Sequence, residues 1–246
     1  MTGIEPNKTV GQLVAERPSR ARVFERFGVD YCCGGKTALG DACAERRLDT
    51  QKIVAALREA DSKAAATDEP DWTRAALSEL IAHILEKHHA YLRGELPRLA
   101  QMVAKVYDVH GARHPELAEV RQTYNGLHAE LELHMMKEEQ ILFPLIKTME
   151  ASQSLETGHC GSVNNPISMM EHEHDSAGAA LARMRSLTGD FTPPEDACNT
   201  YRVLMDGLAE LEADLHQHIH KENNILFPRA SELEAALARS DSATHA

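Results

Sequence analysis

The chain has 246 residues, of which 43% are hydrophobic, 26% charged and only 4% aromatic, and it carries a formal net charge of −12. That length allows one ordinary domain plus a smaller one, and a chain rich in Ala, Leu and Glu favours helix over strand. The negative charge, unrelieved by any basic stripe, sets aside a nucleic-acid partner, and the absence of an apolar run of about 18 residues sets aside a bilayer span. The opening MTGIEPNKTV has neither the charged start nor the apolar core of a signal peptide, so a cytoplasmic location is expected. The five cysteines (Cys32, Cys33, Cys43, Cys160, Cys198) are odd in number and unevenly spread, and reduced thiols are expected.

From Lys8 to Ala60, short amphipathic stretches are interrupted by Pro18, Gly28 and Gly34-Gly35. This pattern predicts a small helical domain over residues 1–60. Its one chemical feature is the vicinal pair Cys32-Cys33. Neighbouring thiolates are too cramped to clamp one metal easily, and a disulfide between them is strained. Inert thiols in a turn are the plain alternative.

The stretch from Asp61 to Asp71 has no large apolar residue and ends in Glu69-Pro70-Asp71. It reads as a linker, drawn at residues 61–72, ahead of a main domain over 73–240.

Four long periodic segments follow, at about Thr73–Tyr107, Pro115–Met149, Pro166–Leu187 and Pro194–Phe227. The predicted class is all-α: an up-down four-helix bundle preceded by the small helical domain. HMMKEEQILFP (His134 to Pro144) recurs as HIHKENNILFP (His218 to Pro228), an offset of 218 − 134 = 84, with seven of eleven positions identical. The bundle therefore reads as a duplicated helix pair.

Each repeat carries H-x-x-x-E, which places imidazole and carboxylate one turn apart on the same helix face. At about 100° per residue, Tyr124, Leu127, Leu131, Ile141, Leu142 and Leu145 lie on the side of Glu138, so His134 and Glu138 sit within an apolar stripe. His218 and Glu222 sit likewise among Leu204, Leu208, Leu211, Leu215, Ile225 and Leu226. His174 shares its face with Ile167, Met170, Ala177 and Leu181. On the first helix His88 and His89 both fall near the stripe, and periodicity does not choose between them. Of the remaining histidines, His83, His216 and His220 are assigned to solvent by their facing and His110, His114, His159 and His245 by their place in loops or tails; His172 points away from His174, and His128, at the edge of its stripe, reads as partly exposed, with a place behind a ligand as the alternative.

A lone histidine on an apolar face is more often a hydrogen-bonded core residue than a ligand. Two inward carboxylates are a different matter, because burying them without a cation costs several kcal/mol at least. No lysine or arginine lies on either stripe in the central turns, since Lys137 and Lys221 project away. A pair of metal ions is the economical solution, and oxygen with imidazole ligands suits iron or manganese.

These strings resemble the hemerythrin-like di-iron proteins. More closely they resemble the bacterial repair-of-iron-centres family, whose small N-terminal domain is matched by D-Y-C-C-G-G-K at Asp30 to Lys36. The resemblance implies two iron ions, oxo- and carboxylate-bridged, on His89, His134, Glu138, His174, His218 and Glu222. It also implies transient contact of Cys32 and Cys33 with iron or nitric oxide, and damaged iron–sulfur proteins as clients. Oxygen-carrying hemerythrins have a further histidine where this chain has Gly178, which leaves a more open site. Iron donation in stress repair is the leading expectation. Nitric oxide or peroxide reduction, and oxygen or nitric oxide sensing, share the same site. Manganese in place of iron and pairing into a homodimer stay open.

Overall fold

The computed structural model describes residues 4–63, 70–152 and 161–244, with side chains through residue 240. Among these residues the secondary structure is helical, and the one β-type contact is an isolated bridge between Thr9 and Ala38. The chain divides into two compact units: Met1–Ile81, Met149–Glu156 and His216–Ala246 form one, and Ala82–Thr148 with Thr157–Leu215 the other.

The first unit begins with four short helices: α1 (Val10–Glu16), α2 (Ala21–Phe27), α3 (Leu39–Glu45) and α4 (Thr50–Lys63). α1 starts at a capping box in which the Thr9 hydroxyl accepts the Gln12 N–H while the Gln12 side chain accepts the Thr9 N–H. α2 stops at Gly28, whose φ of 65° is the left-handed value that glycine adopts without steric cost. Their apolar faces form one core around Leu13, Phe24, Leu39, Ile53 and Leu57. Arg20 is fully buried against this core. It donates to the Leu13 carbonyl at 3.0 Å and pairs with Asp61 at 2.8 Å, so its charge is compensated where it lies. Asp61 to Lys63, the first residues of the expected linker, complete α4. Residues 64–69 of that linker lie outside the described residues.

The second unit is the bundle. α6 (Ala90–His110), α7 (Glu116–Lys137), α9 (Asn164–Leu187) and the part of α10 (Asn199–Lys221) up to Leu215 surround one apolar core. On α7 the buried residues Leu117, Val120, Tyr124, Leu127 and Leu131 alternate spacings of three and four, and Tyr201, Leu204, Leu208, Leu211 and Leu215 do so on α10. This is the seam a bundle helix presents. Burying each such leucine contributes roughly 1.5–3 kcal/mol. The buried Tyr124 hydroxyl donates to the Leu96 carbonyl at 2.7 Å. No described helix is long and apolar enough to cross a membrane.

Three helices change pitch. Leu85–His89 lies between α5 (Leu77–Ile84) and α6, Glu138–Leu142 between α7 and α8 (Phe143–Ser152), and Glu222–Leu226 between α10 and α11 (Phe227–Thr244). All three are π-helical turns, closed by N–H to C=O bonds five residues apart: Ala90 to Leu85, Phe143 to Glu138, and Phe227 to Glu222. In the last two, proline follows directly, and Pro144 and Pro228 have no N–H to continue an α ladder. A π turn rotates less per residue than an α turn. Ile141, expected on the apolar stripe, is therefore carried outward to 46% exposure, and Phe143 is brought in.

Candidate metal centre

Every π turn carries one of the singled-out residues: His89, Glu138 or Glu222. Such turns widen the helix locally and turn a side chain off the regular register.

In the bundle unit His88 and His89 are both buried but face different partners. His88 Nδ1 meets Asp214 at 2.9 Å. His89 Nε2 lies 3.3 Å from Glu138 Oε2, and His134 Nε2 lies 3.3 Å from the same oxygen. His174 Nε2 is 3.1 Å from His134 Nε2. His134, Glu138 and His174 thus each bring a ligand-type atom within 4.8 Å of the others.

The opposite edges of these rings fix their proton positions. His89 Nδ1 is 2.7 Å from Glu139, and His134 Nδ1 is 2.9 Å from Glu173. An ionised carboxylate only accepts, so both Nδ1 atoms donate, and in the neutral ring the lone pair is left on Nε2. Burial alone would raise the Glu139 carboxyl, but hydrogen bonds from His89 and Arg93 hold it below the usual carboxylate range. Lys137 and His134 do the same for Glu173 against its own burial. Arg93 donates to Glu139 at 2.6 Å, and Lys137 pairs with Glu173. The basic side chains therefore serve the outer carboxylates, while two imidazole lone pairs are aimed at an oxygen of fully buried Glu138. Lone pair against lone pair is repulsive at this range in a low-dielectric interior. A cation between them reverses the sign, and the donor set, imidazole and carboxylate without thiolate, suits a hard or borderline metal ion.

In the other unit the repeated motif brings its own histidine and glutamate together. His218 Nε2 lies 3.0 Å from Glu222 Oε1, and both residues are buried. The same unit holds the cysteine turn. Asp30 Oδ1 accepts the Cys32 N–H at 2.9 Å and its thiol at 3.2 Å, and Asp30 Oδ2 accepts the Gly34 N–H at 2.9 Å. A hydrogen bond with Cys33, then burial, pushes the Cys32 thiol well above its ordinary value. Asn224 donates to the carbonyls of Tyr31 at 3.3 Å and Cys32 at 2.9 Å, and His220 Nδ1 meets the Tyr31 carbonyl at 3.3 Å.

A family model described as Hemerythrin HHE cation binding domain matches residues 80–230, and one described as Domain of Unknown function (DUF542) matches residues 6–61. This chain belongs to the hemerythrin HHE family. Among curated relatives, the iron-sulfur cluster repair proteins YtfE of Dickeya chrysanthemi (strain Ech1591) and Escherichia coli O157:H7 are each 41% identical over 224 residues, covering 91% of this chain and 96% of the relative. That of Musicola paradisiaca (strain Ech703) is 40% identical over 235 residues, 93% of this chain and 98% of the relative.

The HHE match encloses all the histidines and glutamates placed in this site, and the described residues form the all-α bundle expected from the repeat. Two assignments need correction. His110 and His220, expected in solvent, are buried at 3% and 5% exposure, His110 because it closes α6 against Tyr201 and His220 because it packs on Tyr31. His83 and His216 are half-buried, while His159 and His245 lie outside the described residues. Glu139 and Glu173, which orient the HHE imidazoles, were not foreseen. Each directly adjoins a singled-out residue in sequence, but at that offset a helix turns by about 100°, so no stripe argument reaches them.

Proposed function

We propose that this chain repairs iron–sulfur clusters damaged by nitrosative or oxidative stress, supplying iron from a di-iron site on His89, His134, Glu138, His174, His218 and Glu222. The observation that carries this reading is the convergence of the His89 and His134 Nε2 atoms on buried Glu138, duplicated as His218 and Glu222 in the second repeat. The printed names of the YtfE relatives support the repair role. Iron held there by these histidines and glutamates would supply Lewis acidity and a change of oxidation state, and manganese would take the same ligands.

The chain's own residues set the terms. Glu139 and Glu173 hold the imidazoles with Nε2 presented for binding. Gly178, one turn after His174 on α9, offers no further donor, which favours exchange over permanent retention. The small N-terminal domain, residues 1–60, is joined through 61–72 to the bundle over 73–240, and its Cys32-Cys33 turn meets iron, nitric oxide or a client transiently. The clients are cytoplasmic iron–sulfur proteins.

The test is reconstitution of a damaged iron–sulfur enzyme by freshly purified protein of known metal content. Unmodified protein restores activity while losing iron, and His134→Ala does neither. A His134→Ala variant as effective as the unmodified chain would sink the proposal. So would a preparation that contains no stoichiometric iron or manganese and whose melting point ignores a strong chelator. Nitrous oxide formed catalytically from nitric oxide and a reductant, with no iron leaving, would assign reduction in place of donation.

A further inference from the structure

α10 begins beside a second reactive cluster, about 30 Å along α6 from His89 at 1.5 Å per residue. The Cys198 carbonyl accepts the Arg202 N–H at 3.1 Å, which makes Cys198 the residue that caps this 23-residue helix. Its thiol is exposed. The backbone N–H of Tyr201 and then that of Thr200 point at the sulfur, joined by the Thr200 hydroxyl, and these donors draw the thiol below its usual range.

The cysteine is not alone. His110, at 3% exposure, aims Nε2 at Cys198 Sγ from 3.2 Å, and its Nδ1 is buried without a hydrogen-bond partner. A proton on Nδ1 would be an orphaned buried donor, which costs more than an orphaned lone pair. The proton therefore belongs on Nε2, where it is donated to sulfur and favours the thiolate. The other groups facing the pair do not oppose this. Asp196 is already bound to His114 at 3.0 Å and Arg113 at 3.4 Å, and Glu116 to His114 at 3.1 Å. Burial pushes the Tyr201 hydroxyl up to about 12, so it stays neutral.

We propose that Cys198 and His110 form a nucleophilic thiolate–imidazole pair, and that Cys198 is a site of reversible exchange with low-molecular-weight disulfides. In that step the Cys198 sulfur attacks one sulfur of the disulfide, a new S–S bond forms as the old one breaks, and the electron pair departs on the second sulfur as a thiolate. Cys198 is oxidised to a mixed disulfide and the departing sulfur of the small disulfide is reduced; this leaving thiolate takes its proton from solvent, while His110 keeps its own on Nε2. Among the described residues, Cys43 is fully buried and Cys32 is buried and held protonated, so neither is as well placed.

The test uses the full chain with its metal. Alkylation by limiting iodoacetamide is followed by peptide mapping between about pH 5 and 9, and a parallel sample is incubated with oxidised glutathione. Cys198 is expected to label first among the five cysteines, at pH 7 roughly three- to tenfold faster than a free cysteine thiol, and to carry the glutathione. His110→Gln moves the bend of its rate–pH profile up toward the ordinary thiol value, with helical content and metal content unchanged. Should that variant fold poorly, the profile of the unmodified chain decides alone, with Cys198→Ser as the blank. A Cys198 rate no greater than the free thiol's, bending at the ordinary value, overturns the proposal, as does glutathione found only on other cysteines.

Discussion

An imidazole offers its Nε2 lone pair only while Nδ1 keeps the proton, and Glu139 and Glu173 enforce that on His89 and His134. Removing such an outer carboxylate typically weakens metal binding about 10–100-fold without touching a ligand. Glu139→Ala and Glu173→Ala are therefore expected to release metal to a competing chelator at about one-tenth the chelator concentration or less, with helical content unchanged. Unaltered competition curves in both variants would contradict the geometry. His220 yields a pH prediction of opposite character. Burial pushes its pKa down to about 4 from 6.5, so the folded chain keeps it neutral where the unfolded chain protonates it. Its neutral form stabilises fully above about pH 6.5, and that contribution is lost as pH falls to about 4, amounting to roughly 3 kcal/mol at most. In chemical denaturation the stability difference between the unmodified chain and His220→Gln should narrow or reverse across that window. A difference independent of pH would show that His220 is not the buried neutral group.

At the scale of elements, the helices of the bundle were readable because 3.6-residue periodicity and an 84-residue repeat report which side is buried. The inward placement of His134, Glu138, His174, His218 and Glu222 was readable on the same ground. Periodicity fails where its assumed pitch fails. Ile141 leaves the stripe inside a π turn, and no pattern of residues marks the π turn before Ala90, which lacks the proline that follows the other two. Burial of His110 and His220 depends on Tyr201 and Tyr31, far away in sequence, and lay beyond any local reading. The cysteine turn shows the same dependence on distant partners. A Cβ on Gly35 would fall 2.1 Å from Asn224 Oδ1, and one on Gly11 2.2 Å from the same atom. Asn224 cannot swing aside without giving up its bonds to the Tyr31 and Cys32 carbonyls. Gly35→Ala should thus destabilise by about 1–3 kcal/mol, and most of that loss should vanish when Gly35→Ala is made on an Asn224→Ala background. Additive losses in this double-mutant cycle would rule out the clash as the cause.

For the whole molecule, the two family models assign the vicinal cysteines to residues 6–61 and the histidine and carboxylate groups to residues 80–230. The chemistry of the two sets differs at neutral pH. Cys32 is held as a thiol by its hydrogen bond with Cys33, by burial and by the neighbouring Asp30 charge, and a thiol is a poor metal ligand until something removes its proton. His89 and His134, in contrast, already present lone pairs. Resident metal should therefore depend on the second set alone. A chain carrying both Cys32→Ser and Cys33→Ser is expected to purify with the metal content of the unmodified protein, measured by elemental analysis, and to lose melting temperature on chelation by the same several degrees. Its helical content at room temperature should survive chelation, because the bundle core from Leu92 to Leu215 is apolar and closed without ligands. If the double variant instead came out metal-free, the thiols would have to bind as thiolates at rest, and the separation of a resident site from a transient cysteine contact would fall.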